Sequence, residues 1–209
     1  MEAPTEDRDL WSRLLEKIVK AKFKDPLIER LKKASRAVLF VEGPIEEEVL
    51  PIIAGKLKLN LNESGIALFP LIGASKARIK IRFWKELTKR VSVPLFMLVD
   101  LDGLTYAKQV IDQGLIKREN AFILSKGTIE DYYPNDVLRN SIEELCGKMP
   151  SPESLEGKRE SAINSFLRKN NYHDNWKIVL GKKVAQSMTE KQIDPEIQKV
   201  LKKTVASSS

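Results

Sequence analysis

The sequence has few of the residues that build covalent cross-links and soft metal sites. Its 209 residues include one cysteine, Cys146, and one histidine, His173. A single cysteine excludes an internal disulfide and a cysteine-based zinc site within one chain, and it fits a reducing compartment. His173 has no cysteine or histidine near it in the sequence, so we interpret it as a surface or structural residue.

Long apolar runs are missing as well. No stretch approaches the length that a membrane-spanning helix needs. The N-terminal sequence, MEAPTEDRDL, lacks the basic and apolar regions of a signal peptide. We therefore expect no membrane partner and a cytoplasmic location.

Positive charge is in excess. Lysine and arginine total 36 against 29 aspartates and glutamates, which gives a formal net charge of +7 and an isoelectric point near 9.3. Such a balance is typical of proteins that bind polyanions such as nucleic acids. Lysine-rich helices that are simply well solvated give the same balance, so net charge leaves both interpretations open.

Short apolar runs alternate with amphipathic helical patterns, which predicts an α/β domain. We predict a central, mainly parallel, four-stranded sheet flanked by helices, with a helical C-terminal part. The predicted strands are 37–41, 66–72, 95–99 and 121–124, and the predicted helices are 45–57, 105–113, 135–147, 153–170, 182–190 and 195–205. The predicted divisions are a helical segment at 1–35, a core at 36–135 and a helical part at 136–209.

Two of the predicted strands end in carboxylates. Glu42 follows the apolar run at 38–41, and Asp100 and Asp102 follow the run at 95–99. Continuous apolar runs suit strands of a parallel sheet, and ligands bind outside the carboxyl ends of such strands. Strand alternation would place both aspartates on one side. Three acids without local cations repel one another, and a divalent cation with oxygen ligands removes that penalty.

A further acidic run opens the helix that follows the first strand. Gly43 permits a sharp exit from the strand, and Glu46 lies one helical turn after Glu42, so it can point back toward the same crevice. For Glu47 and Glu48 we favour the simpler interpretation. Acids in a first helical turn interact well with the helix dipole, and these two need no site.

Together these motifs resemble the Toprim domain, in which one strand ends in Glu-Gly and a later strand ends in Asp-x-Asp. The segment VEGPIEEEVLP resembles, more narrowly, the opening of the Toprim domain in the OLD (overcoming lysogenization defect) nucleases. Gly73, DLDG at 100–103 and GTIED at 127–131 lie where that family has its motifs. The resemblance implies a Toprim-like, Rossmann-like fold over roughly 36–200, with 36–135 as the catalytic core.

The resemblance also implies an activity: a metal-dependent endonuclease or nickase that hydrolyses DNA phosphodiester bonds with two Mg²⁺ or Mn²⁺ ions. Glu42 and Asp100 would be catalytic, with Asp100 between the metal ions. The implied metal ligands are Glu42 and Glu46 for one ion and Asp102, Thr128 and Glu130 for the other, with Asp131 as a weaker candidate. From the residues alone, Thr128 equally well begins a helix, with acids in its first turn, and the two roles are compatible.

The family also places a basic residue in the C-terminal helical part, where this sequence has GKKVA at 181–185. Lys182 is the implied catalytic residue and Lys183 the alternative, because a lysine there would stabilise charge on the transferred phosphoryl group. Judged alone, either lysine is an ordinary surface residue. A basic run predicted to contact nucleic acid includes Lys76, Arg78, Lys80 and Arg82, and a solvated helix face explains the same run.

One departure from the family concerns ATP. OLD nucleases carry an ATPase domain before the Toprim domain, and this sequence contains no GxxxxGK[ST] motif. We therefore expect either a stand-alone Toprim protein or the C-terminal region of a longer chain, with an ATPase domain or partner chain and a homo-oligomer as further possible partners. The alternative function is a non-catalytic nucleic-acid-binding or assembly module that works with a separate ATPase.

Overall fold

The fold is built on four parallel strands. The computed structural model describes residues 36–71, 78, 80–82, 85, 93–172 and 175–207, and the predicted helical segment at 1–35 lies outside them. The strands are β1 (Ala37–Val41), β2 (Ile66–Pro70), β3 (Leu95–Val99) and β4 (Ala121–Ile123), in the spatial order β2-β1-β3-β4. All three neighbouring pairs are parallel, which confirms the predicted α/β class.

The two central strands are apolar throughout because both of their faces are covered. Every residue of β1 and β3 is buried. Leu39 and Phe96 point into one apolar cluster, and Phe40 and Met97 point into a second cluster on the other face. This is the arrangement in which a continuous apolar run, rather than an alternating one, encodes a strand.

Helices cover both faces of the sheet. They are α1 (Pro44–Lys56), α2 (Leu104–Asp112), α3 (Asn135–Cys146), α4 (Arg159–Lys169), α5 (Trp176–Ser187) and α6 (Pro195–Ala206). The larger apolar cluster joins Leu39 of β1 to residues of four of these helices, namely Val49, Leu138, Leu180 and Leu201. The C-terminal helices therefore pack directly on the sheet. No helix in the described ranges has the length and apolar character needed to cross a bilayer.

Two helix predictions need correction in the C-terminal part. The predicted helix at 153–170 is a short 3-10 turn at Glu153–Leu155 followed by α4, because Gly157 adopts a positive φ of 85° that interrupts a helix. The helix predicted at 182–190 begins at Trp176 instead. Its buried face repeats at helical spacing from Trp176 through Leu180 to Val184, and the lysines between them obscured that pattern.

Helix α5 lies unusually close to α1 at one glycine. A Cβ atom on Gly181 would lie 2.8 Å from the Tyr133 hydroxyl oxygen and 3.0 Å from Cγ2 of Val49. Contacts under about 3 Å exceed what close packing tolerates, so the absence of a side chain sets the distance between the two helices. This packing fixes the middle of α5 against Val49 of α1.

Candidate metal centre

The carboxyl ends of β1 and β3 bring acidic side chains together. Glu42 follows β1, Asp100 follows β3, and Val41 of β1 pairs with Leu98 of β3. One oxygen from each of Glu42, Asp100 and Asp102 lies within 4.8 Å of the other two, which confirms the predicted closeness of Glu42 and Asp100. We call these three residues the rim carboxylates. Their spacing is well below the limit of about 8 Å that two bridging metal ions would allow.

Asp102 reaches this cluster by a route that strand alternation did not predict. The strand ends at Val99, and Leu101–Gly103 form a short 3-10 turn. Asp102 lies in that turn and is exposed, whereas Glu42 and Asp100 are half-buried. Of the rim carboxylates, Asp102 is therefore the one most open to a large ligand.

Backbone hydrogen bonds hold the rim carboxylates in place. The Asp100 amide donates to Oε2 of Glu42 over 2.9 Å, which links the ends of β1 and β3. The Leu101 amide donates to the carbonyl of Gly127 over 3.1 Å, so the loop after β4 is tied to the same edge. Gly127 has a φ of 129°, and a Cβ there would lie 2.5 Å from Oδ2 of Asp131. Glycine is thus required at this crossing.

Two further carboxylates lie deeper, and we call Glu46 and Glu130 the inner carboxylates. Their exposed fractions are 3% and 2%. Oε2 of Glu46 accepts a hydrogen bond from the Gly43 amide over 2.8 Å. Oε1 of Glu130 has no hydrogen-bond partner among the described residues. A buried acceptor left in that state costs about 1–3 kcal/mol, and more when it is charged, so a bound cation would relieve it.

Burial and mutual repulsion raise the pKa values of this cluster. Burial is the largest cause for Asp100, whose pKa rises to about 8, and the charges of Glu46 and Glu42 add to it. Burial likewise raises the pKa of Glu46 to about 7, with smaller contributions from Glu130 and Glu42. For Glu42 burial again raises the pKa and Asp102 adds to the effect. Without a cation, Asp100 and Glu46 therefore retain protons near neutral pH.

Thr128 and Asp131 form a cap beside the inner carboxylates. The Thr128 amide donates to Oδ2 of Asp131 over 2.8 Å, and the Thr128 hydroxyl donates to the same oxygen over 3.3 Å. Thr128 thus begins the short 3-10 turn Ile129–Tyr132 that carries Glu130, as the residue types alone suggested. A role for Thr128 as a metal ligand stays a prediction.

Lys177 is the basic residue that sequence reasoning missed. Its Nζ lies 4.0 Å from Oε1 of Glu130 and 2.5 Å from Oε1 of Glu160. Burial lowers the pKa of Lys177, but the hydrogen bond to Glu160 and the charges of Glu130, Glu160 and Glu46 outweigh burial, so its pKa is raised and the ammonium stays charged. Lys177 follows Trp176 at the start of α5, and recognising that helix start would have revealed it.

The two lysines predicted from the family pattern have other partners. Nζ of Lys182 lies 2.7 Å from Oε2 of Glu48, and both side chains are nearly half exposed. Nζ of Lys183 lies 2.5 Å from Oε2 of Glu144. A catalytic role for Lys182 or Lys183 stays a prediction, in competition with Lys177.

The predicted nucleic-acid contacts are only partly within the described residues. Lys76 lies outside them. Arg78 and Arg82 are exposed. Lys80 is half-buried, where Nζ donates to the Pro70 carbonyl over 3.3 Å and lies 5.8 Å from the centre of the Phe69 ring. The two arginines thus remain accessible to a polyanion, and contact with nucleic acid stays a prediction for the whole run.

The donor set fits a hard divalent cation. All five acids present carboxylate oxygens, which Mg²⁺ and Mn²⁺ favour over soft ligands. The unpartnered, buried oxygen of Glu130 and the rim carboxylates held within 4.8 Å are the two observations that support this fit.

A family model matches the part of the chain that carries the rim carboxylates. The family model of the overcoming lysogenization defect protein-like TOPRIM domain matches residues 35–102, which include Glu42, Glu46, Asp100 and Asp102. No curated protein matches the chain in sequence.

Solved structures show the same fold over most of the chain. The C-terminal region of the Xanthomonas campestris pv. campestris OLD protein has a TM-score of 0.63 and 17% identity, covering 83% of this chain and 96% of that one. The C-terminal region of the Burkholderia pseudomallei OLD protein has a TM-score of 0.59 and 16% identity, covering 84% and 99%. Residues 35–102 thus match the OLD-like TOPRIM domain model, and the chain folds like the C-terminal regions of OLD proteins.

Proposed function

We propose that this chain is a divalent-metal-dependent nuclease that hydrolyses DNA phosphodiester bonds. The single observation that carries the proposal is the convergence of the rim carboxylates at the ends of β1 and β3. A cluster of this kind is electrostatically costly unless a cation joins it, and the matching TOPRIM model covers the residues concerned. Nuclease chemistry is the use of such a cluster that the OLD resemblance supports.

We assign the carboxylates to two cation sites on the basis of their burial and of the charges that act on Asp100. The rim carboxylates would hold one Mg²⁺ or Mn²⁺ ion. The inner carboxylates would hold a second ion, with Asp100 serving both, because the charges of Glu42 and Glu46 both act on Asp100. This division differs from the one that the family resemblance implied, in which Glu42 and Glu46 share an ion. Thr128 stays a predicted ligand of the second ion, because a hydroxyl that donates to Asp131 keeps its lone pairs for a cation.

The residues of the chain then have distinct tasks. When bound, Mg²⁺ or Mn²⁺ stabilises negative charge on phosphate oxygens and lowers the pKa of water. Asp100 and Glu46 must first release the protons that their raised pKa values retain. Lys177, which stays charged beside Glu130, would supply further positive charge to the phosphate. Exposed Asp102 marks the side from which DNA would approach.

The proposed partners follow from charge and from the relatives. A net charge of +7 and the exposed Arg78 and Arg82 favour a polyanion such as DNA. The similar solved structures are C-terminal regions, that is, parts of longer OLD proteins. We therefore propose that the module works with an ATPase domain or partner chain.

A plasmid assay tests the proposed function. Supercoiled DNA is incubated with the protein over a titration of Mg²⁺ and of Mn²⁺, with EDTA in parallel, and DNA binding is followed by gel shift. We expect nicking or linearisation that needs the metal and disappears in EDTA while gel shifts persist. If the plasmid stays uncut at every concentration and gel shifts remain, the chain is a non-catalytic binding module. Cleavage that returns only with an added ATPase chain would identify an assembly-dependent nuclease.

A further inference from the structure

Lys177 lies between two carboxylates and contacts them unequally. Its Nζ makes a full ion pair with Oε1 of Glu160, at 2.5 Å, and is at the outer limit of an ion pair with Oε1 of Glu130, at 4.0 Å. Glu160 is 40% exposed, whereas the Glu130 side chain is 3% exposed. The ammonium therefore pairs with Glu160, which is exposed to water, rather than with Glu130, which is buried.

Because Lys177 pairs with Glu160, a buried oxygen of Glu130 is left without a hydrogen-bond donor. Its Oε1 is one of two buried side-chain polar atoms without a hydrogen-bond partner in the described part of the chain. An ammonium within reach would normally satisfy such an oxygen, since an unpartnered buried charge costs more than an exposed one. Glu160 is the group that competes with Glu130 for the Lys177 ammonium.

Helix α4 holds Glu160 in that position. Arg159, the preceding residue, donates to the Tyr133 carbonyl over 2.8 Å and to Oδ1 of Asn135 over 2.6 Å. Farther along α4, Oδ1 of Asn164 accepts from the indole of Trp176, the residue before Lys177, over 3.1 Å. The N-terminal half of α4 is thus fixed to the chain just after Glu130 and to the start of α5.

We propose that Glu160 is a positioning residue that holds the Lys177 ammonium off Glu130 and so keeps that buried carboxylate open for a divalent cation. The inference rests on the proposed function, because it assigns Glu130 to the metal centre. Without Glu160, the ammonium would settle on Glu130 and act as a tethered competitor of the cation.

The test is binding of Mn²⁺ alone, without DNA, measured by calorimetric titration. We expect Glu160→Gln to weaken Mn²⁺ binding about tenfold, the lower end of what losing an outer partner of a metal ligand costs. In a Lys177→Met background the same substitution should change the affinity less than about twofold, because no competitor remains. The matched control is Glu144→Gln, which breaks the Lys183 pair, also 2.5 Å long, and should leave Mn²⁺ binding unchanged.

The possible results separate the inference from the function on which it rests. Wild-type affinity in Glu160→Gln would overturn the inference and leave the nuclease proposal standing. An equal loss with and without Lys177 would also overturn it, since Glu160 would then act only through its own negative charge. Wild-type protein that binds no Mn²⁺ would overturn both. A second readout is thermal unfolding in EDTA, where Glu160→Gln should not lower Tm, because Lys177 gains Glu130 as a partner; a Tm lower than that of Glu144→Gln would count against the inference.

Discussion

The rim carboxylates and the inner carboxylates occupy the same end of the sheet in different surroundings. Glu42 and Asp100 are half-buried and joined by a backbone hydrogen bond, and Asp102 is exposed. Glu46 and Glu130 are buried, and one oxygen of Glu130 has no hydrogen-bond partner. Under the proposed function we interpret this difference as two tasks: the rim carboxylates would meet a phosphate, and the inner carboxylates would hold a small cation.

The largest effect is expected at Asp100, because it belongs to both sets in our assignment. Asp100→Ala should reduce DNA cleavage at least about 10²-fold, the scale of losing one preorganised electrostatic group. The protein should stay folded, because the hydrogen bond that links the end of β3 to Glu42 uses the Asp100 backbone amide, which alanine keeps. Cleavage rates and Tm in EDTA measure the two expectations. The control is Asp112→Ala, at the exposed C-terminal end of α2, and near-wild-type cleavage by Asp100→Ala would contradict the assignment.

A smaller effect should distinguish two lysines of α5, Lys177 in its first turn and Lys182 in its middle. The side chains of Lys177 and Lys182 are equally exposed, at 43%, but Lys177 is beside Glu130 and Lys182 is paired with Glu48. We expect Lys177→Met to lower the cleavage rate at least about tenfold and Lys182→Met less than about twofold. Single-turnover rates at saturating Mg²⁺ compare them. The opposite ranking would favour Lys182, the lysine predicted from the family pattern, as the residue that assists cleavage.

The pH dependence of stability tests the two acids whose pKa values are raised most clearly, one from the rim carboxylates and one from the inner carboxylates. Asp100 and Glu46 have folded pKa values of about 8 and about 7, above those of unfolded carboxyls. The unfolded chain therefore loses these protons first, and stability must fall as pH rises from about 4 toward 8. In EDTA we expect a lower Tm at pH 8.5 than at pH 6, by about 2–4 °C for each kcal/mol lost. Glu46→Gln should flatten this trend, and a Tm that rises over that interval would contradict it.

The sequence predicted the sheet and the rim because both depend on local signals. Buried parallel strands require continuous apolar runs, and a residue that follows such a run must lie at the carboxyl edge, so Glu42 and Asp100 could be placed. The order β2-β1-β3-β4 then makes them neighbours. Asp102 was assigned to the site for the wrong geometric reason, since it lies in a turn and not on an extended strand.

Lys177 and Glu160 could not be predicted because their positions depend on tertiary packing. Asn175 makes no capping hydrogen bond, and lysines interrupt the apolar spacing that begins at Trp176, so the start of α5 was missed. Burial of Glu46 is equally hidden, because acids in a first helical turn are usually solvated. The lysine that approaches Glu130 is 47 residues away in the sequence. Only the packing of α4 against α5 shows that this lysine is Lys177.

The most direct measurement is a crystal structure of the protein with Mn²⁺, with the ions located by anomalous scattering. Our account predicts one ion in contact with Glu42 and Asp102, a second in contact with Glu46 and Glu130, and Asp100 touching both. An ion shared by Glu42 and Glu46 would favour the division that the family resemblance implied. No Mn²⁺ among these carboxylates at millimolar concentration would contradict the central claim that the acidic end of this sheet is a metal centre.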